Sequence, residues 1–267
     1  MNTPMENPVK PRVAVHKFSS CDGCQLALLN LGEDLLTLAG RVDLVHFAEA
    51  GPLDPDADVD IAFVEGSVST PEDIERIRHI RAHSRLLIAI GACAVSGGIQ
   101  GLRNGVFGEE WVTRIYSHPQ AIASLERSTP IAGHVKVDFE LWGCPVSGPQ
   151  MLAVVNALLL GVTPRDNADK VCTECKRLGY PCVLVTRGIA CMGPVTRAGC
   201  GALCPGIGRD CYGCYGPAEN ANTDALAARF RRQGLTTQAI VQRFQSINSQ
   251  APAFLAAAEK IRMGGDD

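Results

Sequence analysis

The sequence lacks long hydrophobic runs and any surplus of positive charge. Its longest strongly apolar stretch, residues 151–162, is shorter than the roughly 18 residues that a membrane-spanning helix requires. Among the 267 residues, 25 lysines and arginines stand against 28 aspartates and glutamates, so the dense basic field of a nucleic-acid-binding protein is missing. We therefore expect no membrane span and no nucleic-acid partner.

Export signals and nucleotide-binding motifs are missing as well. The N-terminal segment MNTPMENPVKPRVAVHKF contains neither an apolar signal-peptide stretch nor a twin-arginine pair, which predicts a cytoplasmic chain. Neither GxGxxG nor GxxxxGK(S/T) occurs, and no grouping of serine, histidine and an acid indicates a hydrolase. Together with the cysteines described below, these absences favour an electron carrier over a chemical catalyst.

Short apolar runs alternate with amphipathic segments over residues 12–162, which predicts an α/β fold with a parallel sheet. The predicted strands are residues 13–18, 42–47, 61–65, 86–90 and 135–141. The predicted helices are residues 25–38, residues 71–83 with Thr70 as the N-cap, and residues from 148 onward. Helical periodicity returns between residues 223 and 262, where apolar faces predict ordinary packing or a subunit contact.

Twelve cysteines are the most distinctive feature of the sequence. Four of them follow predicted strands and would meet at the carboxyl edge of the sheet, where doubly wound sheets bind ligands. The other eight lie within residues 172–214, in a segment without a long periodic stretch. Because disulfides are disfavoured in the cytosol, we interpret the cysteines as metal ligands, and bound metal would give this segment its order. The four early cysteines are Cys21, Cys24, Cys93 and Cys144.

The number and spacing of the cysteines leave two kinds of metal open. All six histidines precede the cysteine-rich segment, so any metal site within residues 172–214 would have only cysteine ligands. Twelve cysteines divide into three sets of four, which is the ligand count of three 4Fe-4S clusters and equally of three zinc sites. Structural zinc sites are usually local, whereas the first four cysteines are dispersed, so the spacing favours clusters over a zinc-stabilised structural protein.

Two histidines and one glutamate are further candidates for chemistry beside the cysteines. His79 and His83 are four residues apart on a predicted helix, but the sequence HIRAH lacks the glutamate of a metalloprotease, which predicts a solvated face. Glu65 lies at the end of a predicted strand, where it would either hold a loop by hydrogen bonds or be solvated. We treat Glu65 as a candidate for organising the loop of the first cysteines.

Seven motifs follow one another along residues 12–217. They are SSCDGCQ at 19–25, VEGSV at 64–68, GACAVSGG at 91–98, WGCPVSGP at 142–149, CTEC at 172–175, CMGPVTRAGC at 191–200 and CYGC at 211–214. With these motifs in this order, the sequence resembles the small, electron-transferring subunit of nickel-iron hydrogenases. The resemblance is greatest to cytosolic bidirectional types with a three-cluster small subunit, including the sulfhydrogenase delta-like NADP-linked and the F420-linked gamma-like groups.

The resemblance implies three parts and three 4Fe-4S clusters. The parts are a flavodoxin-like domain over residues 1–164, an irregular iron-sulfur domain over residues 165–217 and a helical C-terminal tail over residues 218–267. The implied ligands are Cys21, Cys24, Cys93 and Cys144 for the proximal cluster, Cys172, Cys175, Cys182 and Cys191 for the distal cluster, and Cys200, Cys204, Cys211 and Cys214 for the medial cluster. Cys191 and Cys200 flank one short loop, so the sequence leaves an exchange of these two open.

Two positions depart from the pattern of many relatives. Cys172 stands where many of them have histidine, and Cys204 stands where many have proline together with a three-iron medial cluster. A fourth thiolate allows a medial 4Fe-4S cluster, and a thiolate in place of neutral histidine adds negative charge that tends to lower the potential. The hypothesis that follows is a chain with three low-potential 4Fe-4S clusters.

The resemblance also implies a heteromeric complex. Electrons would pass between the nickel-iron site of a partner large subunit and an acceptor subunit, during H2 oxidation or H2 production. Flavin- and iron-sulfur-containing subunits that link to NAD(P) or F420 are the further partners expected. An electron-transfer subunit of a complex I-like oxidoreductase stays open as an alternative, although that relative keeps only the proximal cluster.

Overall fold

The computed structural model describes residues 10–105, 108–165 and 167–264, and a parallel sheet of five strands lies within residues 12–141. The strands are β1 (Arg12–Lys17), β2 (Asp43–Phe47), β3 (Val59–Glu65), β4 (Ser84–Ile90) and β5 (Phe139–Leu141). Their order across the sheet is β2-β1-β3-β4-β5, which is the order of flavodoxin-like folds and confirms the predicted fold class. Every neighbouring pair is parallel, so the five carboxyl ends lie along one edge.

Helices connect these strands near the predicted positions, with two departures. They are α1 (Gly23–Leu29), α2 (Glu33–Ala39), α3 (Pro71–Ala82), α4 (Gly91–Ser96), α5 (Gly108–Ile115) and α6 (Gly148–Leu159). Thr70 caps α3 as predicted. The single helix predicted over residues 25–38 is wrong, because Gly32, with a φ of +61°, separates α1 from α2. The strand predicted over residues 135–141 shrinks to three residues, because the Asp138 carboxylate replaces a strand carbonyl and accepts a backbone N–H of β4.

Apolar side chains cover both faces of the sheet, which explains why its central strands are nearly continuous apolar runs. Successive residues of β3 point in opposite directions. Ala62 and Val64 enter one hydrophobic cluster, and Ile61 and Phe63 enter the other. The two clusters therefore cover the two faces of the sheet.

The C-terminal part packs on the first of these clusters. Its helices are α7 (Val171–Arg177), α8 (Val183–Thr186), α9 (Leu203–Gly206), α10 (Thr223–Arg232), α11 (Thr237–Gln245) and α12 (Pro252–Met263). Phe230, Phe244 and Phe254 of the tail are fully buried in the cluster that also contains Val64 of the sheet and Met192 of the cysteine-rich segment. The tail therefore uses its apolar faces for packing within this chain. The described residues include no helix that is long and apolar enough to cross a membrane.

Candidate metal centres

The first four cysteines converge at the carboxyl edge of the sheet, as predicted. Cys21 and Cys24 follow β1, Cys93 lies in α4 directly after β4, and Cys144 follows β5. The pKa of Cys93 is raised to about 12. Burial is the largest cause, and the neighbouring thiols of Cys144 and Cys21 add to it. Burial also raises the pKa of Cys24, and Cys93 and Cys144 contribute to that rise after Glu65. The four thiols are therefore close enough to affect one another's ionisation.

A buried carboxylate holds the loop that carries Cys21 and Cys24. Glu65, at the end of β3, is only 2% exposed. Its carboxylate accepts hydrogen bonds from the backbone N–H of Cys24 at 3.0 Å, from the N–H of Gln25 at 3.3 Å and from Gln25 Nε2 at 3.0 Å. Burial raises the pKa of Glu65, and these hydrogen bonds oppose the rise. Of the two roles that the sequence left open, Glu65 has the loop-holding one.

Replacing Glu65 with alanine should destabilise this loop, because three buried donors lose their acceptor at once. A buried donor without a partner costs about 1–3 kcal/mol, so we expect Glu65→Ala to lower the free energy of unfolding by at least about 2 kcal/mol. Glu65→Gln keeps one acceptor oxygen and should cost less. Guanidinium unfolding of the purified protein, followed by circular dichroism, measures both effects. An alanine variant as stable as the parent chain would contradict this role.

Two glycines give the first set of sulfur atoms the space that they occupy. A Cβ atom on Gly91, whose φ is +85°, would lie 2.4 Å from Cys24 Sγ. A Cβ atom on Gly98, whose φ is +58°, would lie 2.5 Å from Cys93 Sγ. Because packed atoms do not approach this closely, any larger residue would displace the sulfur. The GACAVSGG motif therefore shapes the surroundings of two cysteines in addition to contributing Cys93.

Gly91→Ala should consequently weaken metal binding by the first four cysteines. The matched control is Gly161→Ala, because Gly161 also has a left-handed φ of +68°, but a Cβ atom there would have no neighbour within 4 Å among the described residues. Both variants carry the same backbone strain of about 1–2 kcal/mol, and only Gly91→Ala displaces a sulfur. We expect iron per chain to fall in Gly91→Ala alone. Equal losses in the two variants would assign the effect to strain instead.

A second set consists of Cys172, Cys175, Cys182 and Cys191. The pKa of Cys172 is raised to about 11. Burial is the largest cause, and the other three thiols of this set add to it. A Cβ atom on Gly193 would lie 3.4 Å from Cys172 Sγ and 3.5 Å from Cys191 Sγ, so these two cysteines flank one glycine. Cys191 is buried and Cys182 is exposed. The second set therefore extends from the interior to the surface.

A third set consists of Cys200, Cys204, Cys211 and Cys214. Burial raises the pKa of Cys214 to about 12, and Cys200 and Cys204 are among the neighbouring thiols that add to the rise. Burial likewise raises the pKa of Cys211, with Cys214 as one of its neighbours. Cys191 also raises the pKa of Cys211, ahead of Cys214, so the division of Cys191 and Cys200 between the two sets stays a prediction.

A second carboxylate, which is half-buried, holds the loop of the third set. Glu174 accepts hydrogen bonds from the backbone N–H of Gly199 at 2.8 Å and from that of Ala202 at 3.2 Å, on either side of Cys200. Burial is the largest cause of the raised pKa of Cys200, and the negative charge of Glu174 is the second largest. Glu174 was not predicted as a site residue. Its position inside the CTEC motif was the one signal in the sequence that could have identified it. The loop that it holds is 25 residues away.

The third set lies between the other two. The backbone N–H of Cys211 donates a hydrogen bond to Cys191 Sγ at 3.2 Å, which joins the third set to the second. At the other end, Cys144 of the first set is a neighbour that raises the pKa of Cys214. The third set is therefore linked to both of the others, although its cysteines come last in the sequence.

A buried asparagine of the tail connects the first set with the third. Asn248 is 1% exposed, and its Oδ1 accepts a hydrogen bond at 2.8 Å from Ser96 Oγ, three residues after Cys93. Asn248 Nδ2 donates to the carbonyl oxygen of Gly213, within CYGC, at 2.7 Å. Asn248 was not predicted either, since a single asparagine between two helices leaves no periodic or motif signal.

The two candidate histidines lie on a solvated face, as predicted. His79 is exposed, and its Nε2 pairs with Oδ1 of the exposed Asp56 at 3.0 Å. The rings of His79 and His83 are 4.1 Å apart at their centroids. Neither histidine contributes to the three cysteine sets.

The donor chemistry of the three sets fits iron-sulfur clusters. All twelve cysteines are free thiols. Within the part of the chain that the structure describes, no three cysteine, histidine, aspartate or glutamate side chains are arranged to hold a single metal ion. In a 4Fe-4S cluster each thiolate binds a different iron, so four ligands stand farther apart than they do around one zinc ion. Bound iron would also offset the raised thiol pKa values, because a coordinating thiol is deprotonated.

Comparisons of the sequence identify relatives with named activities. A family model described as NADH ubiquinone oxidoreductase, 20 Kd subunit, matches residues 21–158. The chain is similar to subunit delta of sulfhydrogenase 2 from Pyrococcus furiosus, with 35% identity over 80% of this chain and 90% of that protein. It is also similar to a vhu subunit of the F420-non-reducing hydrogenase from Methanocaldococcus jannaschii, with 34% identity over 79% of this chain and 83% of the relative.

A solved structure agrees with these relatives. The chain resembles a subunit of an NAD+-reducing NiFe hydrogenase in its H2-reduced state, with 30% identity and a TM-score of 0.54. The match covers 58% of this chain and 94% of that one. The two sequence relatives match more of the chain than this structure does. A match over 80% of the chain extends beyond the sheet into the part that carries the second and third sets.

Proposed function

The chain belongs to the family of small subunits of nickel-iron hydrogenases, and on this premise we propose that it relays electrons between a nickel-iron site in a partner large subunit and an acceptor subunit. The relay operates during H2 oxidation or H2 production, and the H2-cleaving site is in the partner chain. One observation carries this proposal: a backbone hydrogen bond joins the third cysteine set to the second, and Asn248 bridges the loops of the first and third sets. A row of three sets is the arrangement that stepwise electron transfer through a protein requires.

Each cysteine set holds one 4Fe-4S cluster in this proposal. The first set is proximal to the large subunit, the third is medial and the second, which reaches the surface at Cys182, is distal. When bound, the clusters accept and donate single electrons. Glu65 and Glu174 fix the backbone of two ligand loops, and Asn248 fixes the proximal loop relative to the medial one. We further propose that the chain divides at residues 164 and 217 into a flavodoxin-like domain, a cysteine-rich domain and a helical tail.

Cysteine at every ligand position supports three clusters of the same type. Cys204 supplies a fourth medial thiolate, and its neighbours in the structure are thiols of its own set. Cys172 supplies a distal thiolate where a neutral histidine would leave less negative charge. Both substitutions favour low reduction potentials, which suit exchange with nicotinamide, flavin or F420.

The proposed setting is a cytoplasmic complex. Its partners are the nickel-iron large subunit and flavin- and iron-sulfur-containing subunits that link to NAD(P) or F420. The names of the relatives support this class of complex, since one is a sulfhydrogenase subunit and one solved enzyme reduces NAD+.

Metal analysis of the anaerobically purified complex tests the proposal. We expect about twelve irons and a similar amount of acid-labile sulfide per copy of this chain, with nickel in a partner chain. Low-temperature EPR of the oxidised complex should show no signal of a three-iron cluster.

Three results would contradict parts of this proposal. Stoichiometric zinc with negligible sulfide would indicate a structural protein. A full complement of iron without a nickel-containing partner would favour the complex I-like alternative. A three-iron signal would overturn the assignment of Cys204 as a cluster ligand.

A further inference from the structure

A buried tyrosine directly follows the last cysteine of the third set. Tyr215 is 5% exposed, and its hydroxyl has no hydrogen-bond partner among the residues that the structure describes. The hydroxyl of a buried tyrosine usually has a partner, because burying this polar group without one costs free energy. This hydroxyl therefore indicates an acceptor outside the polypeptide.

The backbone around Tyr215 is held by three contacts. The N–H of Gly216 donates to the carbonyl oxygen of Gly213 at 3.0 Å, and the carbonyl oxygen of Gly216 accepts the N–H of Arg197 at 3.0 Å. A Cβ atom on Gly216, whose φ is +70°, would overlap the ring of Trp142, so this segment packs directly against the WGC motif of the first set. These contacts fix Tyr215 at the place where the third set approaches the first.

Thiols of two cysteine sets are near the Tyr215 hydroxyl. Burial is the largest cause of the raised pKa of Tyr215. The thiols of Cys200 and Cys214 in the third set add to the rise, and that of Cys24 in the first set follows them. The hydroxyl is therefore within electrostatic range of both sets, and the third set has the larger effect. As a neutral phenol, Tyr215 can donate one hydrogen bond.

Building on the proposed function, we propose that the Tyr215 hydroxyl donates a hydrogen bond to a sulfur atom of the cluster on the third set. Hydrogen bonds to the sulfur atoms are among the features that set the reduction potential of an iron-sulfur cluster. A reduced cluster carries one more negative charge than an oxidised one, so a donor stabilises the reduced form more and raises the potential. The hydroxyl keeps its proton in both oxidation states, and no covalent bond changes.

This hydrogen bond distinguishes the medial cluster from two clusters that have the same kind of ligands. Each set supplies four thiolates in the proposed function, so ligand type alone leaves the three potentials similar. The other three tyrosines, at positions 116, 180 and 212, are exposed or half-buried. An electron on the relay is therefore held preferentially on the medial cluster.

The test removes this hydroxyl and measures the cluster potentials in the complete, anaerobically purified complex. Tyr215→Phe keeps the buried ring and deletes only the oxygen. The matched control is Tyr212→Phe, because Tyr212 also follows a cysteine of the third set, but it is exposed and its hydroxyl accepts a hydrogen bond from Arg209. Redox titrations followed by low-temperature EPR give the midpoint potentials, and iron analysis shows whether each variant contains its clusters.

Tyr215→Phe should lower one of the three midpoint potentials and leave the other two unchanged. At a fixed solution potential, we expect the ratio of reduced to oxidised cluster to fall by about tenfold, which corresponds to about 59 mV for one electron. Tyr212→Phe should titrate as the parent complex does. Replacing Tyr215 with ortho-fluorotyrosine makes the hydroxyl a stronger donor and should shift the same potential upward.

Each contrary result has a distinct meaning. Unchanged potentials in Tyr215→Phe, or equal shifts in Tyr215→Phe and Tyr212→Phe, would overturn the hydrogen bond while three intact clusters still supported the relay. If Tyr215→Phe lost iron, the fluorinated variant would decide, and a potential that does not rise there would also overturn the hydrogen bond. A parent complex that contains zinc and negligible sulfide would instead overturn the proposed function itself.

Discussion

Replacing Cys93 with alanine should abolish dihydrogen-dependent dye reduction by the complex. Cys93 is held at the carboxyl edge of the sheet, and in the proposed relay no electron reaches the other sets without passing the first. The variant should contain about four fewer irons per chain than the parent, because a cluster missing one of its four thiolates is lost or bound poorly. Iron analysis and the rate of benzyl viologen reduction measure the two effects on one preparation.

The matched variant is Cys182→Ala, at the exposed end of the second set. It removes a thiolate from the other end of the row, so the first and third sets stay able to reduce a dye. We expect Cys182→Ala to keep most of the dye reduction and to lose reduction of a protein acceptor. If Cys93→Ala and Cys182→Ala lost dye reduction equally, the proposed direction of the row from Cys93 to Cys182 would be wrong.

Cys204→Pro should convert one cluster into a three-iron form and leave the other two unchanged. Cys204 lies in the first turn of α9, where proline is tolerated because the N–H needs no partner inside the helix. The medial cluster would retain three thiolates, so iron should fall from about twelve to about eleven per chain. EPR of the oxidised complex should then show the signal of a three-iron cluster.

A second variant separates the loss of the thiolate from the change in backbone. Cys204→Ala also removes the sulfur but leaves α9 free of a second adjacent proline. The same EPR signal in both variants would attribute the conversion to the missing thiolate. Loss of the distal signal instead, with the medial signal intact, would show that the cysteines are divided differently between the two sets.

The first cysteine set could be predicted because its geometry follows from the strands. Parallel strands place their carboxyl ends on one edge, so residues directly after β1, β4 and β5 meet whatever their distance in sequence. The division of the second and third sets had no such support. Cys191 and Cys200 are nine residues apart in an irregular loop, and the thiols that raise the pKa of Cys172 include Cys191, whereas those that raise the pKa of Cys214 include Cys200.

The residues that position the cysteines were mostly beyond prediction. Asn248 contacts Ser96 across 152 residues, and Glu174 contacts Ala202 across 28. Such contacts depend on how the helices and strands pack together, so neither the periodicity of apolar residues nor the spacing of motifs predicts them. Glu65 was recognised because its place at the end of β3, beside the first cysteines, follows from the same strand rule.

The position of the buried tail in the sequence has a consequence for how the protein is made. All twelve cysteines precede residue 215, whereas Phe230, Phe244 and Phe254, which complete the hydrophobic cluster around Met192, follow it. During synthesis the thiols therefore leave the ribosome before the tail residues that close over them. This order gives iron and sulfide a period of access to an open cysteine-rich segment. Release of residues 218–267 then ends that period by sealing the interior.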